Sequence, residues 1–166
     1  MIKCLSLAPI LLVISVAAAQ PASVAAAQPA RTEFVTGSGF LRSGFGISVE
    51  FSVNANQQDP NDPAGWLTAV FYSFPQHLFM TFDSTGLTSL AVDKRTALVT
   101  GTAMISDDRS GFLGEVGFSA VFEDLNARKK RPQNDRMTLT LYFETGAETF
   151  SGGIVPGGIE VGTRRR

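Results

Sequence analysis

The chain has 166 residues, of which 44% are hydrophobic and 17% charged, and 14 basic against 15 acidic residues leave a formal charge of −1. This length predicts one domain, and the apolar content excludes an intrinsically disordered protein. The balanced charge excludes strong binding to nucleic-acid phosphates, which depends on clustered Lys and Arg, so no nucleic-acid partner is expected.

The first segment has the features of a secretory signal peptide. Lys3 precedes an uncharged apolar run, Leu5–Ala19, that ends in small residues and is shorter than the roughly 20 residues of a transmembrane helix. We expect residues 1–19 to be removed during export, which leaves no transmembrane anchor and predicts a secreted or periplasmic protein. Cys4 precedes the run, whereas a lipid-modified Cys follows one, so the exported chain is expected to contain no cysteine.

A repeat makes the cleavage position ambiguous. The motif VAAAQPA at residues 16–22 recurs at residues 24–30, so cleavage after Ala19 and cleavage after Ala27 both satisfy the A-x-A pattern. Residues 20–32 are predicted to be an Ala/Pro/Gln spacer. An exported domain without disulfides favours a bacterial protein of the envelope or the extracellular space.

From Glu33 onward, apolar and polar residues alternate with a period of two, which is the pattern of a strand with one buried face. Residues 45–53, 116–123 and 137–144 show this alternation most clearly. The pattern and the turn residues together predict about nine strands, at residues 34–41, 45–53, 66–74, 77–82, 87–92, 96–105, 116–123, 137–144 and 154–161.

The segments between the strands are rich in turn-forming residues. Asp59–Gly65 is predicted to be a loop, Asp83–Gly86 to end a strand, and Asp93–Arg95 to form a tight hairpin. A longer polar loop is expected over Leu125–Asp135.

No segment shows a helical period over three turns, which excludes a βαβ fold. The expected fold is all-β, a single antiparallel β-sandwich or flattened barrel of about nine strands over residues 33–163. Its interior is expected to be filled by phenylalanine, and residues 164–166 are predicted to form a basic tail.

A calcium site is one hypothesis for the long loop. Asp124, Asn126 and Asp135 flank it, and their oxygen atoms are suitable Ca²⁺ ligands, although Asp and Asn also favour turns for backbone reasons alone. No other cofactor is predicted. His77, the single imidazole, has no nucleophile motif near it and is expected to be structural, so no catalytic residue is assigned.

The same loop carries the first part of a candidate ligand surface. A run of four cations there could contact an anionic polymer or lipid headgroups, or it could be a solvated loop. The run comprises Arg128, Lys129, Lys130 and Arg131.

Trp66 is the second part of the candidate ligand surface. With Phe71, Tyr72 and Phe74 it either lines a sugar-binding platform or, as is usual for aromatic strand residues, packs in the core. Exposure of the Trp66 ring would favour the platform.

The chain carries a glycine motif at Val35–Phe40, an aromatic strand from Pro63 and a Gly-rich segment at Ser151–Val161. This glycine spacing and strand order, over about residues 34–162, resemble the post-COAP domain family of exported bacterial proteins. The resemblance implies an exported β domain and assigns no activity.

Two family positions and two departures accompany this resemblance. Asp124 and Asp135 occupy positions at which the family often has aspartate. The basic insert Ala127–Arg131 replaces a short neutral link, and Ser73–Gln76 replaces an acidic, histidine-rich stretch.

These observations predict a non-enzymatic exported module that binds an envelope or extracellular component, whose identity the sequence leaves unknown. One alternative is a glycosidase-like hydrolase, which requires two carboxylates about 5–10 Å apart in a cleft. Another is an interaction module stabilised by calcium.

Overall fold

The computed structural model describes residues 31–43, 46–59, 62–73, 78–107, 111–125 and 135–165, which form eight antiparallel strands. The strands are β1 (Arg31–Arg42), β2 (Ile47–Asp59), β3 (Asp62–Ser73), β4 (Leu78–Asp93), β5 (Thr96–Asp107), β6 (Gly111–Glu123), β7 (Arg136–Phe143) and β8 (Gly146–Arg165). Each strand pairs with the next along the chain, and β8 pairs with β1, so the sheet closes into a barrel. The prediction of an all-β fold is confirmed. No helix in these six ranges is long and apolar enough to cross a membrane.

The period-two pattern places one face of each strand in the barrel interior. In β2, Val49, Phe51 and Val53 are buried, while Glu50 and Asn54, which have the opposite phase, are exposed. The prediction of a phenylalanine-filled interior is confirmed as well. The buried phenylalanines are Phe51, Phe71, Phe82, Phe118, Phe122 and Phe150.

The described structure has eight strands where about nine were predicted, because two predicted strands form one, β4. The segments at residues 77–82 and 87–92 belong largely to this one strand, because Asp83–Gly86 forms no turn. The chain instead shifts its register against β5 between Ser84 and Gly86 and again between Leu87 and Ser89. These irregularities bend a continuous strand. The tight hairpin at Asp93–Arg95 is confirmed.

The predicted loop at Asp59–Gly65 was also wrong for most of its length. β2 continues to Asp59 and β3 begins at Asp62, so Pro63 and Gly65 lie in a strand. Proline is tolerated there because β3 pairs with β4 only from Thr68 onward. A strand edge without a partner loses no ladder bond when the residue lacks an N–H.

The predicted basic tail and the end of the predicted spacer are part of the barrel. β8 continues through Arg164 and Arg165, which pair with Thr32 and Arg31 at the start of β1. Both segments extend because each provides the other with a hydrogen-bonding partner. Arg166 lies outside the described residues.

β3 and β4 separate beyond Thr68 and Asp83, and side chains replace the missing ladder bonds. The Leu67 N–H donates to Ser84 Oγ at 2.9 Å. Farther along β4, the Leu90 N–H donates to Gln57 Oε1 at 2.9 Å and the Val92 N–H donates to Glu33 Oε2 at 3.1 Å. Polar side chains of β1, β2 and β4 therefore satisfy backbone donors along this opening.

The barrel closes where β1 and β8 meet, and glycines allow the two strands to approach. Gly39 lies opposite Gly157. A Cβ atom on Gly39 would lie 2.7 Å from the Pro156 carbonyl oxygen and would overlap the Ile154 side chain. Gly157 has a φ of +129°, a conformation that residues with a Cβ rarely adopt.

We expect Gly39→Ala to lower the free energy of unfolding by about 1–3 kcal/mol, because the added methyl group overpacks the β1–β8 seam. Gly117→Ala is the matched control, since a Cβ there would have its nearest contacts at 3.8 Å. We expect the control to be neutral or slightly stabilising. Urea unfolding followed by circular dichroism measures both variants, and equal stabilities would show that the seam tolerates a methyl group.

Candidate ligand-binding face

Side chains fill the interior of the described barrel. Phe71 and Phe150 pack with ring centroids 4.8 Å apart, and Phe82 and Phe118 pack at 5.1 Å. Both pairs have edge-to-face geometry, which aromatic rings favour. A ligand would therefore meet the described barrel at its outer surface.

Three neighbouring clefts lie on the outer surface of β1, β2 and β3 beside β8. Their volumes are about 410, 590 and 510 Å³, within the usual range of ligand sites. We call the outward side chains of this region the outer β1–β3 face. Its members are Thr36, Ser38, Phe40, Ser48, Glu50, Ser52, Asn54, Asn56, Trp66, Thr68, Val70 and Tyr72.

The strand register places these side chains in rows across the sheet. Asn54 lies opposite Thr36 on one side and Trp66 on the other. Neighbouring strands are about 4.8 Å apart, so the Trp66 backbone lies about 10 Å from that of Thr36. The next row consists of Ser38, Ser52 and Thr68, whose small side chains leave space for the 590 Å³ cleft.

Trp66 points outward and Phe71 points inward. The exposed fraction of Trp66 is 42%, and that of Phe71 is 4%. The expectation that aromatic strand residues belong to the core was therefore right for Phe71 and wrong for Trp66. Residues 66–74 are apolar at both odd and even positions, so the sequence does not show which side chains point inward. Phe74 lies outside the described residues.

Tyr72 and Glu50 form a polar pair at the far end of the face. The Tyr72 hydroxyl donates to Glu50 Oε2 at 3.1 Å. This hydrogen bond, with desolvation and the carboxylate charge, raises the pKa of Tyr72 above its ordinary value of 10.0. The phenol is therefore neutral in the physiological range.

The rim of the face on the β8 side is braced by Asp135. β8 departs from regular pairing between Ile154 and Gly157, and there Val155 is 53% exposed. Asp135 holds both sides of this irregularity, because its carbonyl accepts from the Ile154 N–H at 2.7 Å and its Oδ2 accepts from the Ile159 N–H at 2.8 Å.

An aromatic ring and a cation form the opposite end of the face. The Arg164 guanidinium lies 4.4 Å from the centroid of the Phe34 ring, a cation–π geometry. The two side chains line the 410 Å³ cleft with Asn54 and Asn56. The sequence does not indicate this contact between Arg164 and Phe34, because the composition of residues 164–166 predicts a basic tail.

The carboxylate of Asp135 bonds to the main chain. Asp135 is 2% exposed, and its Oδ1 accepts from the Leu125 N–H at 2.9 Å while Oδ2 bonds to Ile159. Asp124 is also buried. No group of three or more His, Cys, Asp or Glu in the described ranges is placed to hold a metal.

Several residues singled out from the sequence lie outside the described residues. These are Asn126, the four cations Arg128, Lys129, Lys130 and Arg131, and His77. The calcium site and the cationic part of the ligand surface therefore stay predictions.

A glycosidase-like mechanism needs two facing carboxylates. Among the described residues, the lining of the 590 Å³ cleft includes Glu50 as its one carboxylate, and that group accepts a hydrogen bond from Tyr72. The described lining of this cleft therefore does not present the pair of carboxylates that such a mechanism uses.

No protein-family model, curated protein or solved structure matches the chain. The resemblance to post-COAP domains stays a prediction.

We expect Asp135→Ala to lower the free energy of unfolding by about 2–6 kcal/mol, because it leaves two backbone donors without their acceptor at about 1–3 kcal/mol each. Glu123→Gln is the control, since Glu123 and Arg136 form an exposed ion pair at 4.0 Å worth at most about 1 kcal/mol.

Urea unfolding of wild type, Asp135→Ala and Glu123→Gln measures these changes. Repeating it with calcium and with a chelator tests the hypothesis of a calcium site. If Asp135 acts through its hydrogen bonds to the main chain, Asp135→Ala lowers the free energy of unfolding equally with calcium and with a chelator. If calcium instead stabilises the wild type and not Asp135→Ala, this explanation is contradicted and a calcium site is supported.

We expect Glu50→Ala to lower the pKa of Tyr72 toward 10.0, because it removes the acceptor that favours the neutral phenol. The hydrogen bond stabilises the fold below the ordinary tyrosine pKa, and this contribution is lost as pH rises through the raised pKa of the folded protein. Ultraviolet titration of the phenolate in a Tyr142→Phe background, which leaves Tyr72 as the single tyrosine, measures the shift. An unchanged titration would show that Glu50 does not control Tyr72.

Proposed function

We propose that the protein is an exported, non-enzymatic binding module of the envelope or the extracellular space, and that its ligand occupies the outer β1–β3 face. The observation that carries the proposal is the exposed Trp66 ring beside Asn54 and Thr68 on a surface with three adjacent clefts. Tryptophan is enriched among the residues that dominate binding energy.

The environment of Trp66 supports a binding role over an incidental exposure. Other partly exposed apolar side chains lie on the same side of the barrel, including Phe40 at 37% and Val155 at 53%. Phe40 and Val155 line clefts of the same face, so a ligand there would meet both apolar and polar groups.

Two of the three strands that carry the face are held rigid before a ligand arrives. β1 and β2 are each paired on both sides, and phenylalanine rings fill the space beneath them. A preformed surface loses little conformational entropy on binding, which favours affinity.

The leader supports the export part of the proposal. Lys3 precedes the apolar run Leu5–Ala19, and the sequence contains no cysteine after Cys4. A barrel that needs no disulfide would fold in the periplasm or outside the cell without oxidative assistance.

We expect the processed protein to be retained on envelope or extracellular polysaccharide fractions, and we expect Trp66→Ala to weaken retention about ten-fold or more. Leu98→Ala is the matched control, because Leu98 is 38% exposed on β5. Co-sedimentation measures all three proteins.

Two results would contradict the proposed function. One is the absence of retention on every fraction, and the other is equal retention of Trp66→Ala and wild type. Circular dichroism of each variant establishes that the barrel is intact in either case.

A further inference from the structure

We infer that the ligand of the outer β1–β3 face is an uncharged polysaccharide, lying along the strands with a sugar ring stacked on Trp66. This inference rests on the proposed function and adds the chemical class of the ligand. Four properties of the face support it: its polar groups, its charge, its length and its difference from a protein interface.

The polar groups of the face match those of a sugar. Most members are hydroxyl or amide side chains, including Ser38, Ser52, Asn54 and Asn56. Each such group both donates and accepts hydrogen bonds, as sugar hydroxyls do. The exposed Trp66 ring adds a flat apolar surface, which suits the C–H face of a pyranose ring.

The charge of the face argues against an anionic polymer. Glu50 is its single charged member, and its carboxylate accepts from Tyr72. One cation lies at each end of the face: Arg164, whose guanidinium covers Phe34, and Arg42, which lines the 510 Å³ cleft. A surface built for phosphate, sulfate or carboxylate groups would instead present several cations along its whole length.

The length of the face suits an extended chain. From Ser48 to Asn56, β2 spans about 26 Å at roughly 3.3 Å per residue. The three clefts follow one another along this distance, from Phe34 and Arg164 through Ser52 to Tyr72. A single sugar would occupy one cleft, whereas a polymer would contact all three.

The composition of the face differs from that of a protein interface. The core of a protein–protein interface is depleted of serine, yet Ser38, Ser48 and Ser52 form much of this surface. The aromatic residues Trp66, Phe40 and Tyr72 stand apart on it, with polar side chains between them, as expected for separate stacking positions.

Trp66 fluorescence tests the inference directly, because it is the only tryptophan of the chain. We would titrate the processed protein with soluble uncharged glucans and mannans, and with a sulfated polysaccharide of matched length. We expect an uncharged polymer to shift the Trp66 emission to shorter wavelength and to reduce acrylamide quenching at least two-fold. High salt should leave this binding unchanged.

Two variants locate the bound chain. Asn54→Ala, next to Trp66 in the register, should weaken binding about ten-fold. Met104→Ala, which removes a side chain 37% exposed on β5, should bind as wild type does.

The outcomes separate this inference from the proposed function. Fluorescence that responds to no uncharged polysaccharide, or only to the sulfated one, would overturn the inference. If protease treatment of an envelope fraction abolishes the Trp66-dependent retention, the ligand is a protein, so the inference is overturned while the proposed function stands. If no fraction shows retention that depends on Trp66, both are overturned.

Discussion

Closure of the barrel at the β1–β8 seam is the constraint on which the rest of the structure depends. The two strands come from opposite ends of the described chain, and they pair from Arg31 and Arg165 up to Leu41 and Ile154. Closed pairing removes exposed sheet edges and encloses the phenylalanine core. The seam requires Gly39 and a φ of +129° at Gly157, because side chains on both strands would keep their backbones apart.

The seam also determines where the ligand face lies. β1 belongs to the seam and to the face, so alternate side chains of β1 have opposite roles. Leu41 points into the core, whereas Ser38 and Phe40 are exposed beside the clefts. The irregularity in β8 that accommodates the glycines exposes Val155 at the rim. Asp135 stabilises that irregularity through hydrogen bonds to the main chain. The same hydrogen bonds therefore stabilise both the closure of the barrel and the shape of the face.

The all-β fold and most core residues could be predicted from the sequence, because alternation at positions such as Val49, Phe51 and Val53 reports local geometry directly. The number of strands could not, since Asp83–Gly86 has turn composition yet forms a bulge that only pairing with β5 selects. Trp66 is ambiguous for another reason: an apolar run in both phases does not identify its inward side. The role of Asp135 depends on Ile154 and Ile159, which are distant in sequence, and no local pattern indicates it.

At the opening between β3 and β4, the hydrogen bonds of the barrel wall are less cooperative than those between the other strands. Elsewhere, separating two strands breaks a ladder of backbone bonds together. At Leu67, Leu90 and Val92, each bond ends on one side chain, Ser84, Gln57 or Glu33, and rotation of that side chain releases it alone. Local fluctuations follow the least cooperative contacts. We therefore expect local opening of the barrel wall along this line, next to Trp66, while the β1–β8 seam stays paired.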